Sequence, residues 1–364
     1  FLLPKEVMIA LRSKKSLGRN EMKQKKIAIL GATGSVGQQA LDLVRSGSYN
    51  IDFIMRKIES DTIKLLRFPL IVAVVFIHTN LGSISINGHS LLQTSYPIYQ
   101  SFSYLLYELV LSLAVPTFFV ISGFLFFAKS PKLSLTIYLQ KLKSRFWTLL
   151  VPYVFWNFAV IACYFIAQNF ITGFVSGNNK LIADYAISDW LWAFWDTGMM
   201  NGNAYYDGAR NAFPICYQFW FIRDLMVAVL MTPLIYWLIK KLNLAQPLIL
   251  AVLWLIGWKN NVVGLSIDAL LFFSFGAYFS ITGKNFGNIV RSKATILGIL
   301  YAILVVLALY TKDVAWGAYI SRISILVGAA FAISLSAVNI DRGKWKVDAF
   351  LTESSFFIFA YHVI

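Results

Sequence analysis

The sequence predicts an all-α, polytopic membrane protein preceded by a short βα fragment, and three observations carry the membrane reading. Hydrophobic residues fill 58% of the 364 positions and charged residues 13%, about half the charged share of a soluble domain. The apolar residues gather in nine runs, several of them close to the roughly 20 residues a helix needs to cross a bilayer. The basic residues lie between those runs, many in one loop and few in the next, as the positive-inside rule demands. That placement accounts for the net charge of +15 through topology, so the expected partner is a lipid bilayer and no nucleic acid. Cys163 and Cys216 give neither a disulfide framework nor a metal-site spacing, and no metal is expected. No cleavable signal peptide is visible, and the first span would serve as its own insertion signal. Residue 1 is Phe, and the last apolar run stops at Ile364 without a flanking charge. Both ends therefore read as those of a partial or fused product.

Taken in order, residues 1–50 form a basic N-terminal segment and residues 51–364 the membrane domain. Residues 1–21 are polar and basic, with no periodicity. A short strand pattern over 26–30 leads to Gly31, Gly34 and Gly37 in a G-x-x-G-x-x-G turn, and 38–45 has a helical pattern. A glycine-rich turn at a helix N-terminus can cradle phosphate through free backbone N–H groups. Residues 22–46 resemble the opening βα unit of 1-deoxy-D-xylulose 5-phosphate reductoisomerase, an NADPH enzyme. The resemblance implies cofactor-phosphate contacts at Gly31, Thr33, Gly34, Ser35, Val36 and Gly37. No further nucleotide-domain element follows, and one βα unit cannot bury its own faces. The expectation is a vestigial, fused remnant.

A charged lead-in over 51–64 precedes spans at 65–83, 102–128, 146–171, 217–239, 247–258, 262–281, 294–310, 317–338 and 347–364. The fifth is short enough to be tilted, re-entrant or joined to the sixth. Lys129, Lys132, Lys141, Lys143 and Arg145 follow the second span. Lys240 and Lys241 follow the fourth, Lys284, Arg291 and Lys293 the sixth, and Arg342, Lys344 and Lys346 the eighth. The alternate loops hold none over 84–101, then Lys180, Arg210, Lys259 and Lys312. This alternation puts the N-terminus in the cytoplasm and the end of the ninth span outside, with a tenth span needed to return. The long outer loop 173–215 sets Trp190, Trp192, Trp195, Tyr205 and Tyr206 among Asp184, Asp189, Asp196 and Asp207. Such rings suit sugar stacking, and they suit an interfacial belt at least as well.

The first span carries the leading candidates. Arg67 and His78 are eleven residues apart, close to three helical turns and about 16 Å along one face. Two readings stay open. The arginine snorkels while the histidine packs, or both face a polar interior. Further in-membrane polar residues are Glu108, Ser122, Asn157, Arg223, Asp224, Asp268, Arg322 and Glu353. For each the alternative is an interhelical hydrogen bond, the preferred reading for Ser122, Asp268 and Glu353. His89 and His362 read as non-catalytic.

Six marks in register carry a second resemblance: Arg67-x10-His78, VPTFFVISGFLFF over 115–127, KLKSRFWTLLVPYVFWN over 141–157, FWFIRDL over 219–225, FFSFGAYF over 272–279 and SSFFIFAYH over 354–362. Together they resemble the bacterial membrane acyltransferase type 3 family, from about residue 63 onward. The resemblance implies transfer of an acyl group, acetyl above all, from cytoplasmic acyl-CoA to a hydroxyl of a cell-envelope carbohydrate acceptor. It implies His78 as the catalytic histidine, Arg67 as its companion and no permanently bound cofactor. The family's R-x-x-R pair has Arg145 here but Thr148 in its second place. Lys141, Lys143 and Arg145 are then expected to bind the CoA phosphates as a cluster. Arg223 and Asp224, near the outer surface, are expected to orient the acceptor, with Arg322 and Glu108 as further substrate contacts. The implied localisation is the bacterial inner membrane. A sugar exporter or flippase would use similar buried charges, and an NADPH-dependent reductoisomerase would rest on Gly31–Gly37 alone.

Overall fold

The computed structural model describes residues 8–9, 27–28, 51–78, 85–86, 89–90, 97–171, 180–200, 212–260, 262–284 and 291–362. The chain divides into two units, Phe1–Lys57 and Ile58–Ile364. In the first, β1 (Met8–Ile9) and β2 (Ile27–Ala28) pair antiparallel, with Met8 opposite Ala28 and Ile9 opposite Ile27. The strand expected over 26–30 is thus limited to two residues among those described. The glycine turn with Thr33, Ser35 and Val36, and the helix expected over 38–45, lie outside the described residues.

The second unit is helical apart from a two-residue pairing of β3 (Ser85–Ile86) with β4 (His89–Ser90). Helix α1 (Ile51–His78), of which residues 58–78 belong to this unit, buries Leu66, Leu70, Ile71 and Val74 at helical spacing. Next comes a composite rod: α2 (Pro97–Ser103), a π-helical stretch Tyr104–Val110, a 3₁₀ turn Leu111–Leu113 and α3 (Ala114–Ala128). The departure from α geometry has a local cause. Pro116 has no N–H for the carbonyl of Ser112, and its ring crowds that turn. The Ser112 hydroxyl donates to Glu108 O at 2.5 Å, and that of Thr117 to Leu113 O at 2.6 Å. Helix α4 (Leu135–Arg145), capped by the Ser134 hydroxyl, runs through a π-helical stretch Phe146–Leu150 into α5 (Val151–Phe170).

Of the nine expected spans, four helical stretches among the described residues are long and apolar enough to cross a membrane alone. They are Ile98–Ala128, Leu135–Phe170, α11 (Ala294–Thr311) and α12 (Gly317–Asp341). The expected fourth span is a bent pair instead of one rod. The stretch Tyr217–Leu230, ending in α7 (Trp220–Leu230), turns by 61° into α8 (Thr232–Leu242). Pro233 opens α8, and the buried Thr232 hydroxyl donates to Val229 O at 2.7 Å, so the ladder stops there. Counting that pair as one span gives five. Helices α9 (Ala245–Leu255) and α13 (Ala349–Tyr361) have 11 and 13 residues, and α10 (Ile267–Thr282) has 16. At about 1.5 Å per residue none of these reaches the roughly 30 Å of a hydrocarbon core. Helix α1 fails for another reason: Asp61, Lys64 and Arg67 all fall within its last eighteen residues.

The core is centred on α3 and α10, which meet backbone to backbone. A Cβ on Gly123 would lie 2.0 Å from Phe273 O, and one on Gly276 would lie 1.9 Å from Val120 O. Small residues at a crossing are the usual route to tight helix association in lipid, where apolar burial alone gives no preference. The Ser280 hydroxyl donates to Phe124 O at 2.7 Å across the same seam. Phe119, Phe127, Phe219, Phe272, Phe273 and Tyr278 fill the surrounding space. The outer flank of α11 is different: Ile296, Ile299, Ile303 and Val306 are each at least half exposed, an apolar stripe suited to lipid.

Candidate active site

Three chain segments converge on His78. It is the last residue of α1, so its ring stands at a helix end rather than inside a turn. Tyr217, first residue of the 3₁₀ turn that leads into α7, brings its hydroxyl to 2.8 Å from His78 Nδ1, with the two rings edge to face at 5.0 Å. His362, just past α13, lays its ring 5.1 Å from the His78 ring at 34°. Its Nδ1 is 2.8 Å from Phe359 O, while its buried Nε2 meets no hydrogen-bond partner among the described residues.

The segment that positions Tyr217 is pinned on both sides. Fully buried Asn157 on α5 donates to Tyr153 O at 2.8 Å and accepts from the Cys216 N–H at 3.1 Å. The Gln218 amide donates to Ala360 O on α13 at 3.1 Å, and Phe219 stacks on Phe359 at 5.5 Å with an interplanar angle of 1°. The segments holding Tyr217 and His362 are therefore tied directly to each other. Tyr217 and His362 were not legible as site residues in sequence, because their partnership with His78 spans 139 residues or more.

The remaining candidates lie elsewhere. Arg67 shares the helical face of His78 by angle, but its side chain is exposed and bonds to no described residue. Glu108 is a correction: it was expected among buried polar groups and is exposed, since Leu109 is the buried residue of the π-helical stretch. Lys141, Lys143 and Arg145 do not form one cluster. Successive odd positions on a helix are 200° apart, so Lys143 stands exposed on the far side of α4. Lys141 donates to Phe126 O at the end of α3 and lies 4.7 Å from the Phe126 ring, a cation satisfying a helix C-terminus. Half-buried Arg145 is the member left for an anion.

Arg223 and Asp224 are buried and spend their hydrogen bonds on protein. Arg223 Nε and Nη2 donate to Asp224 Oδ1 at 3.0 and 2.9 Å, and Nη1 donates to Trp195 O and Ala212 O at 2.7 and 2.8 Å. Four of the five guanidinium hydrogens are thus committed to anchoring the outer segment. Arg322 Nη1 donates to Leu255 O at 2.7 Å, at the end of α9, and its guanidinium closes over Gly257. Asp268 accepts from the Trp254 indole at 2.7 Å, an interhelical bond.

Outside the spans, α6 (Ile187–Ala193) is held by Asp189, which accepts from Lys180 at 2.6 Å and from the Ala186 N–H at 2.7 Å. Burial pushes this carboxyl up, but the Lys180 bond, the Ala186 N–H and the Lys180 charge outweigh it and leave it below the ordinary carboxylate range. A carboxyl lowered on folding stabilises the folded form above its unfolded pKa, and that contribution fades as pH falls through the folded one. Asp189→Asn is therefore expected to increase protease cleavage near α6 at neutral pH. The difference from wild type should close in acid, below the usual carboxylate range.

The span-length apolar helices mark a membrane protein, and the ends of α1 and α13 with the turn before α7 set an imidazole beside a phenol. Residues 61–364 match the family model described as an acyltransferase domain, and the chain belongs to that family: it is an acyltransferase. It is also similar to Succinoglycan biosynthesis protein ExoH of Rhizobium meliloti (strain 1021). The two are 26% identical over 298 residues, which cover 82% of this chain and 72% of the relative. No solved structure matches the chain.

Proposed function

We propose that this acyltransferase is an integral protein of the bacterial inner membrane that moves an acyl group, acetyl above all, from cytoplasmic acyl-CoA to a hydroxyl of a cell-envelope glycan. The observation that carries the proposal is the His78–Tyr217 hydrogen bond. A sugar hydroxyl attacks a thioester only as its proton is removed, and a neutral imidazole suits that work near pH 7. In the tautomer that carries its hydrogen on Nδ1, His78 donates to the Tyr217 oxygen and presents an unprotonated Nε2. Nε2 takes the hydroxyl proton as the oxygen bonds to the acyl carbon. The carbon–sulfur bond breaks, and the departing thiolate takes that proton from Nε2. Ester and free CoA thiol leave, and His78 is neutral again. Acceptor identity is supported by the relative, whose name places it in biosynthesis of a polysaccharide. Arg145 holds a CoA phosphate at the cytoplasmic side, and Arg67, on the same helix as His78, is its companion. The N-terminus lies inside, and residues 1–50 take no part in transfer.

The test is thiol release from acetyl-CoA by purified protein in lipid nanodiscs, with de-esterified succinoglycan oligosaccharide as acceptor. Acceptor-dependent thiol release with matching ester in the product is expected. Intact acetyl-CoA beside altered glycan export in cells would point to an exporter and sink the proposal.

A further inference from the structure

His362 has been given no function so far, and its surroundings specify one. A carbonyl oxygen carries no hydrogen, so the 2.8 Å contact with Phe359 O requires the hydrogen on His362 Nδ1. A neutral imidazole has one N–H, so Nε2 presents a lone pair. That nitrogen is buried and without a hydrogen-bond partner among the described residues. Buried polar groups are almost always paired, and an unpaired one calls for an explanation. The ring is held in place: Phe359, three residues earlier, is locked by stacking on Phe219 and by an edge contact to Phe221 at 6.2 Å. The carbonyl that accepts from Nδ1 has nothing to pass on, so His362 cannot relay a proton away from His78. What remains is a free acceptor on a ring whose centroid lies 5.1 Å from that of His78.

We infer that His362 Nε2 is a substrate contact: it receives a hydrogen bond from an O–H or N–H of a bound substrate and so orients that substrate against His78. The inference rests on the acyl-transfer reading. Two substrates supply such a donor, a hydroxyl of the glycan next to the reacting one and an amide N–H of the pantetheine arm.

The variants are His362→Phe, which keeps the ring volume but no acceptor, and His362→Gln, whose amide oxygen can reach the position of Nε2. Binding of labelled oligosaccharide and of acetyl-CoA is measured separately by equilibrium dialysis, with transfer kinetics alongside, in nanodiscs. Losing a hydrogen bond from a buried donor is expected to weaken one substrate's binding, and its KM, about ten- to a hundredfold. Loss on the oligosaccharide assigns the sugar hydroxyl, and loss on acetyl-CoA assigns the amide; His362→Gln should recover most of either. Unchanged binding of both substrates by a folded His362→Phe protein overturns the inference. So does a Gln variant no better than Phe, since packing alone would then account for the residue. If wild type releases no thiol, the transfer reading falls, while the two binding measurements still judge His362.

Discussion

Replacing His78 by Gln is expected to slow acyl transfer about 10²- to 10⁴-fold, the usual worth of a general base. Gln keeps similar length and some hydrogen bonding, and it cannot take a proton near neutral pH. The Tyr217 contact leaves room for a polar replacement at the end of α1, so protein level in the membrane should hold. Tyr217→Phe is expected to cost less, roughly tenfold, because it removes the hydrogen bond that holds the His78 ring and leaves the base. Both are read as thiol release per folded molecule. Retention of wild-type turnover by His78→Gln would remove the histidine from the mechanism, and reduced abundance with normal specific turnover would make it a packing residue.

Gly276→Leu is expected to abolish a stable fold. Its Cβ alone would lie 1.9 Å from Val120 O and 2.7 Å from Phe124 N, both backbone atoms that no rotamer change can move aside. Overpacking a flexible core costs about 1–3 kcal/mol, and a clash with fixed backbone should exceed that range. The detergent-purified variant should aggregate on size exclusion or unfold well below the wild-type midpoint. Gly283→Ala is the control: φ is +66° there, with open space around it, so its cost is that of a left-handed residue, about 1 kcal/mol. A Gly276→Leu protein that melts like Gly283→Ala would mean that the α3–α10 seam is not the core of the unit.

Much of the helical architecture was legible because bilayer-length apolar runs have few other uses. His78 stood out because an imidazole near the end of such a run is expensive unless it finds a partner. Other features depended on groups outside their own stretch. The break at Met231 comes from Pro233 and Thr232 acting together, inside an apolar run that reads as continuous. The burial of Arg223 became intelligible once Trp195 and Ala212 were seen to accept from it. The phosphate cluster illustrates a different error. Charges at 141, 143 and 145 look concentrated in a loop, but α4 begins at Leu135, and helix geometry sends the middle one away from its neighbours.

The order in which the site residues leave the ribosome has a consequence for biogenesis. His78, Tyr217 and His362 are separated by 139 and 145 residues, and a chain grows at about 5–20 residues per second. Roughly 15–60 s therefore pass between synthesis of His78 and of His362. During that interval the imidazole of α1 waits for the ring that completes its surroundings. Whatever shelters that end of α1 meanwhile, whether lipid headgroups or the insertion machinery, handles an intermediate in which most of the helices are already made and the proposed reaction centre is not. Arrest of translation before Ala349 should accordingly yield an inserted, recognisably folded bundle that has no chemistry.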